Sequence, residues 1–132
     1  MLCTEQWVKE RVDYWWQLLA FGYCTTEEDY GRMGNPPSVA FDKRMTSCAG
    51  RAYSFLKCIK FSAYYMAHID PHLFDRTVAH EVAHVWVDNW YHRKCNHGPR
   101  WKHAMYCLGL PPARCHNYRR IARIRAAAQK SV

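Results

Sequence analysis

The sequence of 132 residues has no CxxC pair anywhere, although it holds seven cysteines, at positions 3, 24, 48, 58, 95, 107 and 115. An odd, scattered set of that kind fits neither a disulfide framework nor a zinc ribbon, and mostly reduced, buried thiols are expected. The start, MLCTEQWVKE, lacks the basic cluster and apolar run of a secretion signal, and the uncharged segment from Tyr14 to Thr26 is too short to cross a bilayer. No internal repeat and no second domain are visible. One domain in an intracellular, soluble setting is the expectation, without a membrane partner.

Acidic residues are missing from the whole chain beyond Asp88, where ten lysines and arginines follow, from Arg93 to Lys130. The first 88 residues hold nine basic against eleven acidic groups, so the net charge of +8 arises entirely in the C-terminal third. One-sided charge of this kind suits a polyanion, nucleic acid first. The competing reading is a solvated tail. Basic residues beside aromatic ones, as in RWKH and NYRR, suit single-stranded DNA through phosphate contacts and stacking.

An apolar share of 49% with 6 Trp, 9 Tyr and 5 Phe predicts a packed globule. Thr4 can cap a helix over residues 5–20, in which Trp7, Val8, Val12, Trp15, Trp16 and Leu19 recur at helical spacing. EEDYGRMGNPPS reads as a loop, and SVAFDKRM, GRAYSF and KCIKFS read as three short strands forming an antiparallel meander. A short helical turn, AYYMAHI, ends at Asp70-Pro71. A long helix is predicted from about His72 to Tyr91, broken by HRKCNHGP, and a shorter one from Pro99 to Gly109. The tail after Pro112 is rich in Ala and Arg; a helix and a mobile segment that orders on a partner are both open.

The chemistry is concentrated in HEVAH, residues 80–84. His80 and His84 are four apart on the long predicted helix, about 6 Å in rise, so both rings can reach one tetrahedral ion. Glu81 is rotated by about 100° from His80, beside such an ion instead of toward it, where a general base belongs. A catalytic zinc takes a third protein ligand and keeps a fourth position for water. His92 would lie about 12 Å beyond His84 on a continuing helix. His97 can return through the break, with Gly98 easing the turn; His103 is the fallback, with a surface histidine as its alternative, and Cys95 is treated as a packing residue. Cys115 and His116 cannot close a second site unless Cys107 or others converge.

HEVAH followed by HGPRWK resembles the SprT-like metalloprotease family, which includes the Spartan protease, and is most similar to the small stand-alone members carried by bacteria and their phages. The resemblance spans roughly residues 39–118, including CAGRAY and LGLPPARCHNY. It implies an α+β minimal zincin of the minigluzincin type: a three-stranded antiparallel sheet packed on the HExxH helix, with flanking helices. It divides the chain into a protease domain over 1–112, including the N-terminal helix, and a basic tail over 113–132. It further implies His80, His84 and His97 as ligands of one Zn2+, Glu81 as catalytic base, and Trp101 packed beneath the metal loop. The implied substrates are proteins trapped on DNA, with DNA as activator. Many family members continue into a zinc ribbon; here DNA contact falls to the tail or to the domain itself, from Arg93 to Lys130. A monomer in the cytoplasm is expected, at the nucleoid or, for a phage protein, in the host.

In such an enzyme a substrate strand could add to the sheet edge near Lys57 to Ser62. Tyr53, Arg51, His103 and Arg100 are candidates to steady the oxyanion, and Asp88, four residues beyond His84, is either a partner of a ligand imidazole or an exposed or capping aspartate. The reading from another class is a DNA-binding module with a structural zinc.

Overall fold

A computed structural model of the chain describes residues 2–113 and 118–130. Helix α1, Glu5–Tyr23, starts where the Thr4 hydroxyl accepts the Trp7 N–H at 3.1 Å. It buries Val8, Val12, Trp15, Trp16 and Leu19, the stripe that its periodicity predicts. Residues 27–33, expected as loop, form helix α2 (Glu27–Met33) instead. The reason is local: Thr26 caps it by accepting the Asp29 N–H, three acidic residues occupy its first turn, and Gly34 closes it with φ at 65°.

Strands β1 (Ser38–Asp42), β2 (Gly50–Tyr53) and β3 (Cys58–Ser62) make the sheet, in the order β1-β3-β2. β2 and β3 are antiparallel, joined through a one-turn 3-10 helix, Ser54–Leu56, and Lys57 in the left-handed region. β1 and β3 are parallel, with Ser38 opposite Cys58 and Asp42 opposite Ser62. The expected antiparallel meander is therefore corrected to a mixed sheet, and the segment Lys57 to Ser62, expected at an edge, holds the centre. Composition explains the exchange. β3 buries Ile59 and Phe61 completely, whereas β2 carries Gly50 and an exposed Arg51, which belong on a short edge.

After β3 the chain turns through α3 (Ala63–His68) into α4 (Pro71–Tyr91), with Pro71 in the first turn, where its missing N–H costs nothing. α4 is the axis of the molecule, packed by α1 on one side and by β2 and the 3-10 turn on another. Trp16 and Trp86 meet edge to face at 4.8 Å where α1 crosses it. α5 (Pro99–Cys107) and α6 (Tyr118–Lys130) complete the chain. α6 lies against α3, with Tyr118 and Ala122 buried, the Tyr118 hydroxyl bonded to the Leu73 carbonyl, and Arg125 paired with Asp70 at 2.9 Å. Of the two states open for the tail, a docked helix is the one present over residues 118–130. A mixed α+β domain with this small sheet beside the long helix is a minimal zincin arrangement. Among the described residues no helix is long and apolar enough to cross a membrane.

Trp16 is 1% exposed and its indole N–H donates to the Gly34 carbonyl at 3.1 Å, so it ties α1 to the end of α2 as well as to α4. Trp16→Ala is expected to lower unfolding free energy by about 3–5 kcal/mol, read from urea denaturation.

Candidate metal centre

α4 brings HEVAH into the protein interior: His80 and Glu81 are buried, with Val78, Ala79, Val82, Ala83 and Val85 fully buried around them. The helix ends at Tyr91, and His92 caps it in the left-handed conformation, donating its N–H to the Asp88 carbonyl. The chain then doubles back over residues 93–98, with Asn96 also at positive φ, and α5 begins at Pro99. This reversal delivers His97 to the helix pair. His80 Nε2 and His84 Nε2 are 3.2 Å apart, and His97 Nε2 is 3.1 Å from each.

A tetrahedral ion bound at about 2.0–2.1 Å by three nitrogens sets them about 3.3–3.4 Å apart, so the triangle fits one ion with little movement. Three imidazoles without a thiolate suit a transition-metal ion such as zinc, copper, iron or nickel. Among the described residues no fourth side chain joins the group. His103, the fallback ligand, is exposed on α5 with its ring 6.1 Å from that of Tyr23. The Cys95 thiol is directed at backbone, 3.7 Å from the Val87 carbonyl oxygen. Cys115 and His116 lie outside the described residues.

Trp101 forms the floor. Its ring stacks on His84 at 5.3 Å and 18°, and meets His80 and His97 edgewise, each at 4.7 Å. Its N–H donates to the His80 carbonyl at 3.3 Å, and its side chain is fully buried. Burial pushes the His84 imidazole down to about 4, with the neighbouring His97 and Lys94 acting in the same direction, so this ring is neutral near pH 7, as a ligand must be.

Glu81 Oε2 is 4.0 Å from His80 Nε2, adjacent to the triangle but outside it. Burial raises its carboxyl to about 7, opposed by the Ala52 backbone N–H and the Arg51 charge. β2 passes so near that a Cβ placed on Gly50 would be 3.0 Å from Glu81 Cγ and 3.2 Å from the Phe61 ring. Glycine here is a requirement of close approach, for which the sequence offers only its place in CAGRAY as a signal.

A cleft of about 360 Å³ opens over the histidines, lined by Cys48, Arg51 and Ser54 on one side and by Lys94 and Asn96 on the other. Of the four oxyanion candidates, only Arg51 lines it. Arg100 packs on the Tyr91 ring at 4.0 Å beside a different cavity, and His103 lies at Tyr23. Tyr53 is a side-chain hydrogen-bond partner of Arg51.

Asp88 is neither exposed nor a cap. It is 2% exposed, accepts from the Ser54 hydroxyl at 2.6 Å and from the Cys95 N–H at 2.8 Å, and lies 4.0 Å from Lys94 Nζ. The Ser54 contact has no signal in the sequence, because it joins a strand end to a helix 34 positions away.

The profile of the SprT-like family matches residues 12–118. The chain belongs to the SprT-like family. Protein SprT of Pseudomonas paraeruginosa (strain DSM 24068 / PA7) is 33% identical over 98 residues, which cover 73% of this chain and 59% of that protein. Protein SprT of Pseudomonas entomophila (strain L48) is 33% identical over 105 residues, 76% and 63% respectively. For Protein SprT of Enterobacter sp. (strain 638) the figures are 33% over 89 residues, 67% and 53%. This SprT-like chain thus spans about three fifths of the length of the curated relatives it matches. No solved structure matches it significantly.

Two substitutions separate the roles within this SprT-like centre. Gly50→Ala is expected to keep the metal but to displace Glu81 or β2, seen as full metal content with altered Tm. Asp88→Ala, which frees the loop carrying His97, is expected to weaken metal affinity about 10–100-fold in a chelator competition.

Proposed function

We propose that this chain is a zinc-dependent peptidase that acts on proteins held on DNA. The observation that carries the reading is the set of three imidazole nitrogens within 3.2 Å of one another, with a buried carboxylate beside them and an open cleft above. His80, His84 and His97 would hold the ion. When bound, zinc acidifies a water and polarises a carbonyl.

The chain's own groups supply the rest. Glu81 takes a proton from the attacking water at its carboxylate and passes it to the amine that leaves. Arg51, lining the same cleft, offers a cation to the oxygen on which charge develops. With β3 paired on both sides, the edges are β1 and β2, and it is β2 that borders the cleft, through Gly50, Arg51 and Ala52. Main-chain pairing along β2 would grip a polypeptide with little dependence on its sequence.

DNA association is supported by charge: all ten basic residues beyond Asp88 stand without an acidic residue among them in sequence. A module with a structural zinc normally closes the fourth position with protein, and the described residues provide no such group.

Incubated with single-stranded DNA and a DNA-binding protein substrate, the purified chain is expected to cleave that substrate, to stop on chelation and to recover with zinc. Glu81→Gln is expected to retain one zinc per chain while losing activity by about 10²–10⁴-fold. Cleavage undiminished in Glu81→Gln refutes the assignment of the base; zinc binding without any cleavage by the parent chain returns the structural-zinc module. His97→Ala is expected to lose both metal and activity, with metal content measured directly.

A further inference from the structure

Beyond the metal cleft, a second hollow of about 300 Å³ lies where α6 meets α3, lined by Thr46, Tyr64, Tyr65, Arg119 and Arg123. Arg119 and Arg123 are one helical turn apart, so their side chains project from the same face of α6. The nearby Arg125 is consumed by Asp70, with bonds of 2.9 Å. Arg119 and Arg123 have no carboxylate partner among the described residues, and no acidic side chain follows Asp88 to supply one from the adjoining sequence. Tyr64 lines the same hollow, half-buried, its ring packed edgewise on Tyr65 at 5.4 Å and on His68 at 5.0 Å. Two guanidiniums without a carboxylate partner and a braced aromatic ring in one concave wall suit a phosphate with an attached planar group.

We propose that this hollow binds single-stranded nucleic acid, with one phosphodiester between Arg119 and Arg123 and a base against Tyr64. The inference rests on the DNA-associated reading above and gives that reading a location. A duplex keeps its bases stacked inside and has no use for the aromatic wall, whereas a single strand can offer both phosphate and base face. A membrane surface fits less well: α6 turns Tyr118 and Ala122 into the protein, leaving Ile124 as its one large exposed apolar residue.

The position of the hollow gives the binding a purpose. Thr46 lines it and Cys48 lines the metal cleft, two residues along one loop, a span of at most about 7 Å. That loop is fixed from the α3 side: the Ser62 hydroxyl donates to the Met45 carbonyl at 2.5 Å, the Tyr65 hydroxyl to the Thr46 carbonyl at 2.8 Å, and the Ser62 N–H to the Ala49 carbonyl at 2.9 Å. A strand seated in the hollow therefore runs beside the peptidase cleft at a set distance, and a protein attached to that strand is presented to it.

The test measures fluorescence anisotropy of a labelled oligothymidine of about 15 nucleotides with the zinc-loaded Glu81→Gln chain, which avoids any turnover. Arg119→Ala with Arg123→Ala is expected to weaken binding at least about tenfold and to reduce the slope of log affinity against log salt by about 0.7, the contribution of one single-strand phosphate. Tyr64→Ala is expected to cost about tenfold, and Tyr64→Phe to restore binding, because stacking needs the ring and not the hydroxyl. The Tyr64 pair leaves α6 untouched, so it decides the matter even if the double variant unfolds. Lys9→Ala, exposed on α1 and outside the basic segment, is expected to stay within about twofold. Binding by the parent that survives both the arginine and the tyrosine changes overturns this site while leaving DNA association standing; absence of binding by the parent removes DNA association itself. Equal affinity for a duplex, with Tyr64→Ala neutral, overturns the single-strand assignment.

Discussion

A single buried carboxylate determines where the third imidazole can be. Asp88, on α4 at the base of the cleft, is only 2% exposed, and an unpaired charge there would be very costly. It is matched by the Ser54 hydroxyl, at the start of the 3-10 turn after β2, and by the Cys95 N–H from the returning loop. Helix, sheet and loop are thereby joined at one point, one helical turn beyond His84. Because the loop must reach Asp88 to satisfy it, the chain is held in the reversal that places His97 two residues further on. The convergence of the three nitrogens is thus a consequence of polar satisfaction in the core as much as of any affinity for a metal.

Around this tie the molecule divides electrostatically. Residues up to Asp88 contain the acids, several of them engaged in structure: Asp75 accepts both Arg11, at 2.9 and 3.0 Å, and the Trp15 indole, at 2.9 Å, where α1 meets α4. The charged residues beyond it are all basic, and among the described ones only Lys94 and Arg125 lie within 4.0 Å of a carboxylate. A self-repelling segment of that kind costs stability unless an anion neutralises it, and this is the charge on which the proposed DNA association rests.

Much of the centre was legible in the linear sequence because helical periodicity fixes geometry. Once residues 72–91 are read as a helix, the relation of His80, Glu81 and His84 follows from 3.6 residues per turn, and the Gly98-Pro99 break lets His97 return to them, as the structure has it. The sheet was less legible. Strand order depends on long-range pairing, and the short runs around Val39, Ala52 and Ile59 are compatible with several orders; the burial of Ile59 and Phe61 selects the observed one. Helix α2 was hidden by its glycine and its acidic residues, which resemble a loop until Thr26 is recognised as a cap. Contacts such as Ser54 to Asp88 leave no trace in a single sequence, since nothing local distinguishes the serine that makes them.

The floor beneath the histidines has a thermodynamic meaning. With one indole plane touching all three rings and bonded to the helix backbone, the imidazoles have little rotamer freedom left to surrender when an ion arrives. Capture of the ion then carries a small ordering cost, and its residence is governed by bond strength and by access from the solvent side alone.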